Sequence, residues 1–208
     1  ILYVNNFLSI DDQFMGWSWS LAIEEQFYLI APFFLLIMRK SDYFLQWSVA
    51  LVILGWALRI FALEYHDLSV FWEVRDLGSE TWVGRFDHTY DNFYTRFGGL
   101  LIGVIAAWIH VNCKSEINEF FNGSKLTPLI LSFIALSFFL FATFLDQRHL
   151  VDSPYIIRLT WYAMERDIFA LSLAILIMSA LHSADPIAGG LRRILSAKIL
   201  YPIAQLSY

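Results

Sequence analysis

The sequence predicts an all-α fold, a polytopic bundle of transmembrane helices, and three observations predict it. The chain is 208 residues long, 58% hydrophobic and 18% aromatic, where soluble domains are about 45–50% apolar. Charged residues make up 16%, against a usual figure of about 25%. Five stretches reach the roughly 20 mostly apolar residues that carry a helix through the hydrocarbon layer. A net charge of −5 and the absence of a basic stripe argue against a nucleic-acid partner; the expected partner is a lipid bilayer. A single cysteine, Cys113, leaves no internal disulfide and no CxxC metal site. It reads as a small apolar residue at a helix end.

The spans are predicted at residues 16–38, 44–63, 93–113, 126–145 and 162–182, with a sixth beginning near 199. They read as parts of one membrane domain over 1–208. In the first, residues 29–38 are almost unbroken hydrocarbon. In the third, residues 100–109 alone are too short to cross, so Arg96 belongs to its outer end. Gly99 and Gly103 form a GxxxG pair there, which predicts close approach of a neighbouring helix. In the fifth, the uncharged run 168–182 has 15 residues, about 22 Å of helix against a core of about 30 Å. Glu165, Arg166 and Asp167 must then reach at least the outer edge of that core. Residues 184–197 are too short and too charged to span. Ile187, Leu191, Ile194 and Leu195 recur at helical spacing, so the segment is either an interfacial helix or an ordinary polar connection.

Loop charges orient the chain. Arg39 and Lys40, Lys114 and Lys125, and Arg192, Arg193 and Lys198 mark three segments as cytoplasmic by the positive-inside bias. The long loop 64–92 carries Asp67, Glu73, Asp76, Glu80, Asp87 and Asp91 against Arg75 and Arg85, and is expected outside. The loop with Arg148 and Asp152 is expected there too. The first, third and fifth spans then enter from outside.

The candidate chemistry lies at those outer ends. Ser20, Glu24 and Tyr28 are spaced four apart and share one helix face. A carboxylate in the membrane, with a hydroxyl above and a phenol below, is a plausible track for binding a hydroxylated substrate or relaying a proton. Alternatively, Glu24 only pairs with a base on another helix. Glu25 points about 100° away, toward substrate or the interface. Arg96 is expected to pair with Glu24 or a substrate anion, or to snorkel to the headgroups. Arg166 and Asp167 either line the same pocket or form an interfacial charge cluster. Of the five histidines, none has metal-ligand spacing such as HExxH, and no metal is expected. His88, beside Asp87, is a weak further candidate. There is no GxSxG elbow, phosphate-binding loop or dinucleotide fingerprint.

These residues resemble a known family. WSLAIEEQFYLIAPFFLLIM at 19–38 closely resembles the signature helix of the acyltransferase-3 family of integral membrane O-acyltransferases. FYTRFGGLLIGVIAA at 93–107 is similar to a later helix of that family with a T-x-R-x-x-x-L-x-x-G core, here Thr95, Arg96, Leu100 and Gly103. Many members carry an acid just after the arginine, where this chain has Gly98. LSAKILYPIAQLSY at 195–208 resembles the lead-in to the S-Y-S-x-Y-L-x-H helix, of which only Ser207 and Tyr208 are present. The resemblance covers essentially the whole chain. Members have about ten spans, so this chain is expected to hold roughly the fourth to the eighth and the start of the ninth. The family's Arg/Lys-x10-His element would lie upstream of Ile1, and these residues alone are expected to be inactive.

The resemblance implies an enzyme of the bacterial inner membrane. It would move an acyl group, usually acetyl, from a cytoplasmic donor to a hydroxyl of an envelope carbohydrate: O-antigen, peptidoglycan, exopolysaccharide or a glycoside. Acetyl-CoA or another acyl-CoA is the implied donor, with no bound cofactor. For such a reaction the residues themselves suggest Glu24 for acceptor positioning or proton relay, Ser20 and Tyr28 as its hydrogen-bonding supports, and Arg96 as the anchor of the acceptor or acyl oxygen. Two rivals stand beside it. Intramembrane Glu, Arg and Asp suit a proton-coupled transporter or flippase, and a scaffold would use them as helix glue.

Overall fold

The computed structural model describes residues 4–13, 15, 18–38, 43–66, 80–124, 126–144, 150 and 152–206. Among them all regular structure is helical. Two short 3₁₀ turns, Asn5–Phe7 and Ile10–Asp12, lead into α1, Trp19–Met38. Then come α2 (Phe44–Tyr65), α3 (Glu80–Arg85) with a π-helical turn at Phe86–Tyr90, α4 (Phe93–Asn112) and α5 (Lys114–Asn122). These are followed by α6 (Leu126–Phe144), α7 (Tyr155–His182), α8 (Pro186–Leu195) and α9 (Tyr201–Leu206). Helices α1, α2, α4 and α6 are long and apolar enough to cross a membrane, and α7 with α8 makes a fifth if that pair, bent by 94°, is one broken span. Large apolar side chains such as Leu29, Ile37 and Phe144 are exposed on these helices, as expected of an integral membrane protein, whose spans are apolar around most of their circumference.

Four predicted spans match observed helices to within three residues at each end. The fifth does not. Helix α7 begins at Tyr155, seven residues before the predicted start at 162, because Pro154 opens it: the Pro154 carbonyl accepts the amides of Ile157 at 3.0 Å and Arg158 at 3.3 Å. Its 28 residues measure about 42 Å. Arg166 and Asp167 therefore sit well inside a helix, not at its outer end.

Residues 184–197 do form a helix over Pro186–Leu195. Asp185 caps it, accepting the amides of Ile187 at 2.9 Å and Ala188 at 3.0 Å, with Pro186 in the first turn. Both are favoured helix-start positions. Cys113 caps α5 as a free, half-buried thiol. Gly16, Arg39, Lys40, Asp67, Glu73, Arg75, Asp76, Lys125, Arg148, Ser207 and Tyr208 lie outside the described residues.

The chain divides into two compact units, one of Ile1–Ile102 with Leu145–Asp167, the other of Gly103–Phe144 with Ile168–Tyr208. In the first, Leu63, Leu159 and Tyr162 form a buried cluster flanked by Ile60. In the second, Phe139 stacks on Phe169 with ring centroids 4.8 Å apart. A half-exposed polar chain in the second unit joins two histidines and an asparagine. His110 Nδ1 lies 2.9 Å from His182 Nε2, and His182 Nδ1 lies 2.8 Å from the Asn118 side-chain Oδ1.

At Gly103 the close approach expected of the GxxxG pair is not seen. A methyl on Gly103 would touch nothing within 4 Å among the described residues. A close approach occurs instead at Gly98, where it serves the site below.

Candidate functional site

Helix α2 carries two charged residues, Glu64 near its C-terminal end and Arg59 within its apolar length, and folding buries Arg59 to 1% exposure. Its guanidinium meets Asp167 of α7, itself 2% exposed: Nη1 lies 2.9 Å from Oδ2 and Nη2 3.3 Å from Oδ1. Arg59 also donates to the Thr95 carbonyl through Nε and to the Ala163 carbonyl through Nη1. Trp56, one turn back on α2, donates its indole N–H to Asp167 Oδ2 at 2.7 Å. A buried pair is stable only when the geometry is good and the remaining polar atoms are satisfied. The bidentate approach and the extra donors supply both conditions.

Gly98 of α4 makes room for this pair. A β-carbon there would lie 2.7 Å from Asp167 Oδ1 and 3.0 Å from Oδ2. The carboxylate cannot retreat, because Arg59 and Trp56 hold it. Gly98→Ala should therefore cost about 1–3 kcal/mol of stability through overpacking. Gly103→Ala, with open space around it, should be neutral or stabilising, since alanine is the better helix former by about 0.5–1 kcal/mol. Thermal unfolding of both variants in detergent checks this ordering, and equal melting temperatures would contradict it.

A second layer is aromatic and cationic. The π-helical turn folds Tyr90 back over the start of α4, where its carbonyl accepts Arg96 Nε at 2.6 Å. The Arg96 guanidinium carbon sits 4.1 Å from the Tyr90 ring centre and 4.8 Å from that of Trp19. Arg166 of α7 approaches the same Tyr90 ring at 4.9 Å, and its Nη1 lies 3.4 Å from the Thr89 carbonyl. Tyr162 donates to Thr89 Oγ1 at 2.6 Å, and that hydroxyl donates to the Arg85 carbonyl at 2.7 Å. Arg85 stands over the Tyr162 ring at 4.8 Å. Cation–π contacts contribute about 0.5–2 kcal/mol each, but two guanidiniums on one ring repel. Neither Arg96 nor Arg166 forms an ion pair among the described residues, and Arg96 Nη2 is buried without a hydrogen-bond partner. Such a spot favours a negatively charged or strongly accepting oxygen.

Next to it lies Asp91, the residue after the π-helical turn, 0% exposed. Gln13 Nε2 donates to its Oδ2 at 3.0 Å. Its Oδ1 and Gln13 Oε1 are buried without partners. Burial pushes the Asp91 carboxyl up to about 7; nearby Asp87 adds to the rise, while Gln13 and Arg96 oppose it. Asp87 itself accepts the Ile10 amide at 2.9 Å. His88 stacks on His66, ring centres 3.7 Å apart and nearly parallel. Burial and then His66 lower the His88 pKa, against Asp87, which raises it.

The α1 candidates are placed differently from expectation. Ser20 and Glu24 are half-buried, while Glu25 is exposed and Tyr28 is 57% exposed. Glu24 has no hydrogen bond or ion pair with a described residue, and the expected pairing with Arg96 is not formed. The reason is local: Tyr90, brought over α4 by the π-helical turn, supplies a carbonyl and a ring before any acid on α1 can reach. Trp19 is the α1 residue that meets Arg96. Gln26, within the same string, exchanges amide hydrogen bonds with buried Asn6 at 2.8 and 3.2 Å. Arg96 and Arg166 are brought together, and Asp167 joins Arg59 instead.

Sequence reasoning missed Arg59, Trp56, Tyr90, Asp91 and Gln13. A lone arginine in an apolar span implies a buried partner, so Arg59 had a readable signal. Asp91, one acid among seven in residues 64–92, had none. No group of three or more His, Cys, Asp or Glu side chains among the described residues is placed to hold a metal ion. No protein-family model, curated protein or solved structure matches the chain.

Proposed function

We propose that this chain is the membrane part of an O-acyltransferase of the acyltransferase-3 type. It passes an acyl group, acetyl in the simplest case, from a cytoplasmic acyl-CoA to a hydroxyl of an envelope carbohydrate. The observation that carries the reading is the contact of Trp19 with Arg96 at 4.8 Å. Each belongs to one of the two segments that resemble the same family, and the fold brings them together. The departure at Gly98 gains a physical sense here, because the Asp167 carboxylate fills the space that a side chain at 98 would occupy.

In this reading five spans cross the bacterial inner membrane with the Tyr90–Arg96 end outside. Arg96 and Arg166 hold the acyl oxygen, whose negative charge grows in the transition state. Arg59 and Asp167 fix α2, α4 and α7 around them. Glu24, with Ser20 and Tyr28, positions the acceptor or passes its proton. Glu24→Gln in the full-length protein should lower acyl transfer without removing protein from the membrane, checked by acetyl transfer from labelled acetyl-CoA and by membrane abundance. Wild-type transfer would remove Glu24 from the mechanism. A second reading, a proton-coupled transporter, draws on the buried Arg59–Asp167 pair, since such carriers use intramembrane ion pairs. It predicts substrate movement across the membrane with no acyl group on the product.

A further inference from the structure

Helix α8 is too short to be a span. Its 10 residues measure about 15 Å, half of the roughly 30 Å hydrocarbon core. Helix α7, with 28 residues, is long enough to cross without it. The two meet at 94°, and the corner between them is tightly bonded. Asp185 caps α8 through Oδ1, while its Oδ2 accepts the hydroxyls of Ser183 at 2.8 Å and of Ser132 on α6 at 3.1 Å. Ala188, on the first turn of α8, is 0% exposed, and α8 lies against α6. A helix held at right angles to a span runs along the plane of the membrane.

The surface of α8 is of two kinds. At about 100° per residue, Ile187, Leu191, Ile194 and Leu195 fall within one third of its circumference, and Arg192 and Arg193 lie outside that stripe. Ile194 is 63% and Leu195 60% exposed, and Ile199, in the 3₁₀ turn that follows, is 80% exposed. Arg192, Arg193 and Lys198 are exposed as well and form no ion pair among the described residues. No acidic residue occurs from Pro186 to Leu206. The neighbouring α5, by contrast, offsets Lys114 with Glu116 and Glu119. An apolar edge beside a purely cationic one matches a lipid with an anionic headgroup, whose acyl chains and phosphate lie side by side at the interface. A soluble anion would meet the cations and leave the apolar side chains in water. A second copy of α8 would set like charges against each other.

We propose that α8 is an interfacial helix that binds anionic phospholipid, with Ile194, Leu195 and Ile199 in the acyl-chain boundary and Arg192, Arg193 and Lys198 on the headgroup phosphates. The positive-inside bias places it on the cytoplasmic leaflet. The long arginine and lysine stems lie along apolar surface while their charges reach the phosphate layer. The inference stands apart from the reaction that the protein carries out.

The test uses the full-length protein with Ile194→Cys, every other cysteine replaced, and an environment-sensitive fluorophore on residue 194. It is reconstituted in vesicles of equal parts phosphatidylcholine and phosphatidylglycerol, in which one lipid or the other is brominated near the headgroup end of its acyl chains. Brominated phosphatidylglycerol should quench about five-fold more effectively than brominated phosphatidylcholine, the effect of one cation at an anionic surface. The preference should shrink as salt is raised and vanish when Arg192→Gln, Arg193→Gln and Lys198→Gln are combined. Equal quenching by the two lipids overturns the headgroup assignment. Quenching by neither overturns the interfacial position, and protection of the fluorophore from aqueous iodide would then mark the face as covered by protein. A preference that survives the triple substitution overturns the role of the three cations. If the triple variant does not accumulate, the salt series on the charged protein decides: a preference that high salt leaves unchanged overturns the proposal.

Discussion

Asp167→Leu should lower the stability of the protein by about 3–5 kcal/mol, and Arg59→Met should do the same, because each leaves the other charge buried without its partner. Both groups are almost fully removed from solvent, so neither can recover its hydration by a small side-chain movement. The double variant should be more stable than either single one. It buries no charge, and well-packed apolar replacements of buried ion pairs are often neutral or better. It should not quite reach the wild type, since Trp56 loses the acceptor it now has at 2.7 Å and an unpaired buried donor costs about 1–3 kcal/mol. Unfolding of all four proteins in the same detergent gives the cycle. A double variant whose loss equals the sum of the two singles would show that the pair is not coupled.

Arg96→Gln should cost acyl transfer about 10²–10³-fold, the usual effect of removing one donor to a developing oxyanion, while the protein stays in the membrane. The structural loss is smaller, one hydrogen bond to the Tyr90 carbonyl and contacts with two rings. Arg166→Gln should cost less activity, because that guanidinium is already engaged with the Thr89 carbonyl and with the Tyr90 and Tyr162 rings. The measurement is kcat and KM for the labelled acyl donor. A fall in kcat fits a contact made in the transition state, whereas a rise in KM alone would mark Arg96 as a ground-state binding group.

How much of this was legible depends on the kind of signal each residue leaves. Helices α1, α2, α4 and α6 could be read because about 20 apolar residues in a row have few other uses. The start of α7 lies seven residues before the predicted one, because Pro154 and not the uncharged run sets that boundary. Trp19 and Arg96 could be named from their strings, but their contact could not, since periodicity gives faces and not neighbours. The expected Glu24–Arg96 pair followed from opposite charge alone. It failed because the π-helical turn puts a carbonyl and a ring in front of Arg96, a geometry with no signature in the residue pattern. Gly98 and Gly99 are adjacent in sequence, yet only the geometry of α7 reveals which one faces a carboxylate. Asp91 looked like a solvated loop acid and is fully buried.

The most direct measurement follows the acyl group itself. Membrane vesicles containing the full-length protein are given acetyl-CoA labelled in its acetyl carbon, and the envelope carbohydrate is recovered and hydrolysed. Label released from carbohydrate as acetate, and lost in Arg96→Gln, is the expected result. Carbohydrate that stays unlabelled in vesicles holding abundant, folded protein would contradict acyl transfer and bring the transporter reading forward.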